Sequence, residues 1–238
     1  MVLQAQENKA MILAAGLGSR LKKLTEQKPK ALLEWEGKPL IEHVILKLKS
    51  QGFTSIIINV HHYAHMIMDF IKQKDGFGIE IEFSLEKDEL LDTGGGIANA
   101  SWFFGEYPFL VYNVDIVSNI DLRAMYQEHL KSGAIATLAV KERVTTRSLL
   151  MDKEGFLKGW RDNRTGETIL TGSFAEGLSP IAFSAIHIMD PRVFSLFPEE
   201  KKFPLMPFYL DLAKKHPVKL YRHDRDGWMD MGKMESYI

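Results

Sequence analysis

The sequence predicts an α/β fold: a three-layer sandwich in which helices cover both faces of a mainly parallel, mixed sheet. Short apolar runs alternate with segments of helical periodicity through the first half of the 238 residues. The first apolar run ends in a glycine-rich turn, and a later one ends in an aspartate. In open sheets of this kind ligands bind outside the carboxyl ends of the strands, so both features predict a functional edge.

The first half of the chain carries the regular alternation. Its apolar runs suit strands that are buried on both faces, and the predicted strands are residues 10–15, 55–60, 79–85 and 108–115. The predicted helices are residues 39–52, 64–74 and 97–104. Pro39 suits a first helical turn and Gly52 a C-terminal stop.

The second half is less regular and makes the sheet mixed. Its predicted elements are strands at 134–140, 179–189 and 218–223, a hairpin at 148–160 and a helix at 204–215. No repeat, low-complexity segment or convincing linker interrupts the sequence. We therefore expect a disordered leader at residues 1–8 and a single domain over residues 9–238.

Composition excludes several classes of function. The absence of cysteine removes thiol catalysis, disulfides and thiolate metal sites. A net charge of −1 gives no general basic field for nucleic acid. No apolar run approaches the roughly 20 residues that cross a bilayer, and the first residues lack a signal-peptide core. We expect a cytoplasmic protein with no nucleic-acid or membrane partner.

The glycine-rich turn predicts a phosphate site. Gly16 and Gly18 allow close approach of the backbone, and Arg20 offers a guanidinium matched to phosphate. Lys28 and Lys30 add positive charge about ten residues later. The turn lacks the third glycine of a dinucleotide fingerprint and the Gly-Lys-Ser/Thr ending of a P-loop. A Gly-x-Gly that merely starts a helix is the simpler alternative.

Two carboxylates predict a metal site. Asp115 ends a buried strand, where a charge is costly unless it meets a cation or donors, and Asp230 lies between apolar residues before a glycine. Nucleotide chemistry would supply Mg²⁺, which takes one or two carboxylates together with phosphates. The alternative for Asp115 is a cap or turn residue. His61 and His65 have the spacing of a zinc pair, but without a third ligand we expect no metal there.

Three glycines at 94–96 come directly before a predicted apolar helix. Glycines cost conformational entropy on folding. Three in a row therefore indicate a place where the backbone lies flat against a planar group or exposes its amides at the start of a helix. A flexible loop is the alternative.

The whole set of motifs resembles the sugar-1-phosphate nucleotidylyltransferases, whose pattern runs Gly-x-Gly-Ser/Thr-Arg, a threonine and Pro-Lys. The segments "DTGGGIANA", "NVD" and "GWMDMG" follow in the order of that family. The similarity is greatest to N-acetylmuramate-1-phosphate uridylyltransferases and mannose-1-phosphate guanylyltransferase-like enzymes. It implies a Rossmann-like, glycosyltransferase-A-like nucleotidyltransferase fold and one catalytic domain. The implied reaction is in-line attack of a sugar 1-phosphate on the α-phosphate of UTP or GTP, which releases pyrophosphate.

The resemblance also implies residue roles. The implied nucleotide-binding residues are Ala15, Gly16, Gly18, Glu86, Gly94 and Gly95. The implied catalytic residues, which neutralise phosphate charge, are Arg20 and Lys30. The implied Mg²⁺ ligands are Asp115 and Asp230, and the implied sugar-binding residues are Ser184 and Ala185.

Three departures leave the sugar open. Val114 precedes Asp115 where a glycine is usual, and Ala185 stands where glycine is common. Residues 159–163 occupy the region where many relatives carry Glu-Lys-Pro. A cytidylyltransferase for phosphocholine or another alcohol phosphate is an alternative enzyme, and its aromatic cage would use Trp102, Trp160 and Trp228. A non-catalytic nucleotide sensor is an alternative of another class. The sequence allows a monomer or a homodimer.

Overall fold

The computed structural model describes residues 8–173 and 177–233. The α-helices in these ranges are α1 (Leu40–Ser50), α2 (Ala64–Gln73), α3 (Asp92–Asn99), α4 (Leu122–Ser132) and α5 (Leu205–Leu212). The strands are β1 (Asn8–Leu13), β2 (Glu34–Trp35), β3 (Lys38–Pro39), β4 (Phe53–Val60), β5 (Glu80–Leu85), β6 (Phe109–Asn113), β7 (Ile116–Ser118), β8 (Ala136–Lys141), β9 (Arg147–Met151), β10 (Leu157–Asp162), β11 (Thr168–Leu170), β12 (Ser179–Met189), β13 (Val218–Arg222) and β14 (Trp228–Asp230). Short 3₁₀ helices lie at Ser19–Thr25, Lys30–Leu32, Asp75–Gly78, Ser101–Phe103 and Pro191–Leu196.

One central sheet organises the molecule. Its strand order is β11-β10-β9-β12-β6-β1-β4-β5, with β8 paired to β12 and β13 paired to β8. The run β6-β1-β4-β5 and the pair β8-β13 are parallel, and the other pairs are antiparallel. Because β8 and β6 are both antiparallel to β12, they point in the same direction. The carboxyl ends of β1, β4, β5, β6, β8 and β13 therefore meet at one edge.

Both faces of the sheet are covered. In β1, Ala10 and Ile12 face one apolar cluster, while Met11 between them faces the other. Helices α1, α2 and α4 pack into the first cluster, and α3 and α5 pack into the second. Burial on both faces accounts for the continuous apolar runs in the sequence. The predicted three-layer α/β fold with a mixed sheet is confirmed.

Several element boundaries differ from the predictions. The three glycines lie inside α3, which ends at Asn99 and is followed by a 3₁₀ turn, so the predicted helix at 97–104 was wrong at both ends. Asp115 lies in a turn between β6 and β7 and not in the strand itself. Helix α4 was missed, although Asp121 caps it by accepting from Ala124 N at 2.9 Å and Gly133 closes it.

The remaining predictions concern the chain ends and membranes. Asn8 already belongs to β1, and the rest of the predicted leader lies outside the described residues. The single domain over 9–238 stays a prediction. Within the described ranges, every helix is too short or too polar to cross a bilayer.

Candidate active site

The glycine-rich turn lies at the carboxyl edge of the sheet, beside two neighbouring strands. Leu13, at the end of β1, is in register with Asn59 of β4 and Asn113 of β6. The Asn59 side chain accepts a hydrogen bond from Ala14 N at 2.7 Å. This contact fixes the start of the loop that carries Ala15 and Gly16.

The two glycines of the turn have different roles. Gly18 adopts a left-handed conformation with φ of 64°, and a β-carbon on it would lie 2.8 Å from Thr25 Cγ2. Glycine is therefore needed there by the fold of the loop itself. A β-carbon on Gly16 would meet no atom of the described chain within 4 Å. Gly16 thus faces open space in the cleft, as a ligand-facing position would.

Lys30 and Asp115 form a short ion pair. Lys30 Nζ lies 2.6 Å from Asp115 Oδ2, and the two side chains are 15% and 9% exposed. Lys30 reaches this position from the short helix that follows Pro29, while Asp115 lies 85 residues further along the chain. The cation and carboxylate of the predicted site are therefore direct neighbours.

Asp230 joins this pair through the ribbon formed by β7 and β14. Asp230 is in register with Ile116, and Met231 N donates to the Asp115 carbonyl at 2.8 Å. Gly232 marks the point where the side chains converge. A β-carbon on Gly232 would lie 2.6 Å from Asp115 Oδ2, 2.9 Å from Asp230 Oδ1 and 3.3 Å from an Arg20 guanidinium nitrogen.

The two carboxylates fit a magnesium site that substrate completes. The described ranges contain no group of three or more histidine, aspartate or glutamate side chains that could hold a metal ion alone. Mg²⁺ commonly uses one or two carboxylates and completes its shell with water and substrate phosphates. Asp115 and Asp230 provide that number of ligands, next to two phosphate-matched cations. His61, one of the two histidines with zinc-like spacing, donates a hydrogen bond from Nδ1 to the Glu86 carbonyl at 2.7 Å.

A cleft of about 220 Å³ extends from the glycine loop to the Lys30–Asp115 ion pair. Its lining includes Ala15, Gly16, Arg20, Lys30 and Asp115. Glu86 lies between this cleft and a neighbouring cavity of about 520 Å³, which Gly95 also lines. Most of the predicted phosphate and nucleotide residues therefore line one or other of two neighbouring cavities that meet at Glu86.

Glu86 and the α3 glycines also have structural partners. Glu86 accepts from Asn59 Nδ2 at 2.7 Å through one oxygen and from Leu91 N at 2.8 Å through the other. Gly94 N and Gly95 N both donate to the Phe203 carbonyl, at 3.0 and 3.3 Å. A β-carbon on Gly94 would overlap the Phe203 ring. The glycines thus permit α3 to pack against this segment, and their contact with a base stays a prediction.

The predicted sugar segment lies at an irregularity in β12. Ser184 is buried, and its hydroxyl shares a hydrogen bond of 2.7 Å with His223 Nε2. The Ser184 carbonyl accepts from Trp228 Nε1 at 3.0 Å. Ala185 has a left-handed φ of 56° where the pairing with β8 shifts register. Sugar contact by either residue stays a prediction.

Sequence reasoning missed Arg143 at the same edge. Its guanidinium carbon lies 3.9 Å from the centre of the Trp228 ring, and one terminal nitrogen donates to the Phe183 carbonyl at 2.7 Å. Burial lowers the pKa of Arg143, while the Asp230 carboxylate acts to raise that pKa. Arg143 follows the carboxyl end of β8 by two residues, which is the signal that could have identified it.

Comparison with known proteins shows the family of this chain. The nucleotidyl transferase family model matches residues 9–148. This chain belongs to the nucleotidyl transferase family. The predicted enzyme class is thereby confirmed. The sequences of several curated proteins also align with this nucleotidyl transferase over most of its length.

Two relatives and one solved structure are informative. N-acetylmuramate alpha-1-phosphate uridylyltransferase of Caulobacter vibrioides is 32% identical over 217 residues, which cover 86% of this chain and 84% of the relative. Mannose-1-phosphate guanyltransferase of Gibberella zeae is 36% identical over 249 residues, covering 97% of this chain and 62% of the relative. The crystal structure of HddC from Yersinia pseudotuberculosis, complexed with GMP-PN, has a TM-score of 0.77 at 24% identity, covering 97% of this chain and 96% of HddC. The last similarity establishes the fold.

Proposed function

We propose that this nucleotidyl transferase joins a nucleoside triphosphate to a sugar 1-phosphate, with UTP and N-acetylmuramate 1-phosphate as substrates. The observation that carries the proposal is the convergence of Arg20, Lys30, Asp115 and Asp230 at one edge of the sheet. Two cations and two carboxylates beside a glycine loop suit phosphoryl chemistry. The uridylyltransferase similarity over most of both chains supports the choice of substrates.

The chemistry is an in-line displacement. An oxygen of the sugar 1-phosphate forms a bond to the α-phosphorus, the bond to the β-phosphate breaks, and pyrophosphate leaves. The attacking oxygen is already an anion, so no protein base takes a proton. Arg20 and Lys30 orient the phosphates and neutralise developing charge. Mg²⁺, held by Asp115 and Asp230, supplies further neutralisation of charge when it is bound.

A guanylyltransferase acting on mannose 1-phosphate is the second candidate. The similarity to the Gibberella zeae protein, which spans nearly the whole of this chain, favours it. A phosphocholine cytidylyltransferase gains no support from the tryptophans. Trp228 and Trp160 pack against opposite faces of the sheet. Trp102 lies next to Phe103, whose carbonyl accepts from Lys9 near the amino end of β1. We place the enzyme in the cytoplasm, where both nucleotides are available, as part of the proposal.

Pyrophosphate release tests the proposal. The purified chain is incubated with Mg²⁺ and each pairing of four nucleoside triphosphates with N-acetylmuramate, glucose and mannose 1-phosphates. We expect UTP with N-acetylmuramate 1-phosphate to give the highest kcat/KM. A preference for GTP with mannose 1-phosphate would select the second candidate. Tight nucleotide binding without turnover of any pair would favour the sensor.

Asp115→Asn tests the assigned carboxylate. Because asparagine lacks the negative charge that the assigned Mg²⁺ ligand supplies, we expect kcat to fall by a factor on the order of 10² to 10³. Asp211→Asn is the control, since Asp211 is exposed and its carboxylate pairs, among the described residues, with Lys214 three positions further along, just beyond the end of α5. Turnover of Asp115→Asn close to that of Asp211→Asn, with both proteins folded, would contradict the assignment.

A further inference from the structure

An arginine follows β8, which lies on the opposite side of β6 from the glycine loop. Arg143 follows β8, whose carboxyl end lies at the same edge as those of β1 and β6. Arg20 and Lys30 approach the carboxylates from the segments after β1. Burial lowers the pKa of Arg143, while the Asp230 carboxylate acts to raise that pKa. The edge thus carries a third cation in addition to Arg20 and Lys30.

The contacts of Arg143 hold its head in place but leave part of its hydrogen-bonding capacity unused. The guanidinium stacks on Trp228, and one terminal nitrogen donates to the Phe183 carbonyl. Its Nε is buried and has no hydrogen-bond partner in the described part of the chain. A buried donor without a partner costs free energy, so this guanidinium gains from an anion that completes its hydrogen bonding through the nitrogens that remain accessible.

Arg143 is linked through Trp228 to the predicted sugar segment. Trp228, on which Arg143 stacks, donates to the carbonyl of Ser184 in the predicted sugar segment. Trp228 and Asp230 are two residues apart on β14, so their side chains point to the same face of that strand. Arg143 therefore contacts the tryptophan that binds the sugar segment, and it lies near enough to Asp230 for that carboxylate to act on its pKa.

We propose that Arg143 and Trp228 form an anion-binding subsite in which the arginine binds a phosphate or carboxylate oxygen of the acceptor. The inference rests on the proposed function, because it takes a sugar 1-phosphate as the acceptor. A guanidinium presents a planar fork of donors that matches both anions. The ring of Trp228 restricts that fork to one orientation, so the subsite aligns the acceptor and is not merely a source of positive charge.

The test compares three variants in steady-state kinetics with Mg²⁺, UTP and N-acetylmuramate 1-phosphate. For Arg143→Gln we expect the acceptor KM to rise about 10- to 100-fold, as for loss of a charged hydrogen bond. Arg143→Lys keeps the charge, so its acceptor KM should lie between those of the wild type and Arg143→Gln. In both variants the KM for UTP should stay within about twofold. Arg192→Gln is the matched control, because Arg192 pairs with Asp190 on the surface at the opposite edge of the sheet.

Two acceptors distinguish the anions. N-acetylmuramate carries a lactate carboxylate that N-acetylglucosamine lacks. An equal KM increase of Arg143→Gln for both 1-phosphates assigns the phosphate, and an increase confined to the muramate assigns the carboxylate. A lowered melting temperature with unchanged acceptor KM would show a purely structural arginine and overturn the inference. Equal increases in the KM of acceptor and UTP would also overturn it.

A binding measurement separates the inference from the proposed function. If the wild-type enzyme turns over no acceptor, the proposed function fails. Calorimetric titration of N-acetylmuramate 1-phosphate into protein holding a non-hydrolysable UTP analogue then decides the inference. Binding by wild type that weakens at least tenfold in Arg143→Gln would support the subsite. Equal affinity, or no binding by the wild type, would overturn it.

Discussion

A single added methyl group at Gly232 tests the geometry of the candidate active site. The β-carbon of Gly232→Ala would lie 2.6 Å from Asp115 Oδ2 and 2.9 Å from Asp230 Oδ1. Ordinary contact begins at 3.4 Å, so the Asp115 oxygen must retreat by about 0.8 Å. The φ of Gly232 lies outside the left-handed region, so alanine adds no backbone strain. The substitution therefore displaces the two carboxylates while leaving their chemistry intact.

A displacement of this size has a large kinetic effect. Misplacing a reacting group by about 1 Å costs on the order of 100-fold in rate, or about 2.7 kcal/mol of transition-state stabilisation. We expect the kcat/KM for pyrophosphate release to fall by that factor, and the Mg²⁺ concentration giving half-maximal rate to rise. Initial rates measured across a magnesium series report both quantities.

Gly227→Ala is the matched control on the same segment. Its β-carbon would meet Asn119 at 3.7 Å, which is an ordinary contact. Thermal melting of both variants shows that each is folded. If Gly232→Ala retains activity within about threefold of Gly227→Ala, the carboxylates are not held as described and the reasoning fails.

Two further predictions concern stability. Ala185→Gly should raise the free energy of unfolding by about 0.5–1 kcal/mol, because alanine is strained at a φ of 56° and glycine is not; urea unfolding measures it. His129 is buried against Thr137, and burial lowers its pKa to about 4 from the ordinary 6.5. As the pH falls, His129 therefore becomes protonated in the unfolded chain before it does so in the folded protein. The stabilisation that the neutral His129 provides is full above about pH 6.5, and the free energy of unfolding falls by about 2 kcal/mol between pH 7 and pH 5. Urea unfolding at both pH values, with His129→Gln as comparison, measures that loss.

Each stability prediction has a control variant and a result that would contradict it. Ala182→Gly, in the same strand but with an ordinary φ and full burial, should destabilise the protein. If Ala185→Gly loses stability as Ala182→Gly does, strain at Ala185 is not significant. If His129→Gln loses as much stability as wild type between pH 7 and pH 5, protonation of His129 is not a cause.

The sequence predicted the parts of the site that follow a local rule. Gly18 and Arg20 come directly after the first strand, and Asp115 follows a strand that points to the same edge. The shared edge follows from apolar periodicity and the preference for parallel pairing in alternating elements. The contact of Lys30 with Asp115 depends on how two distant loops fold back, which no local pattern encodes.

The errors have a common physical cause. Three glycines argue against a helix on intrinsic propensity, yet the carbonyl and ring of Phe203, more than 100 residues away, stabilise one through them. Arg143 lies in a stretch without a motif, so only its position after a strand marked it. Tertiary contacts decided both cases.

The pairing of β7 with β14 determines when the candidate active site forms during synthesis of the chain. Asp115 and Asp230 are brought together by a pairing of strands 112 or so residues apart in the chain, on the order of half its length. A growing polypeptide on the ribosome therefore displays its glycine loop early but acquires the second carboxylate only after β14 has emerged. Long-range pairing of this kind forms slowly. Catalytic competence thus reports that β14, near the C-terminal end of the described residues, has already paired with β7.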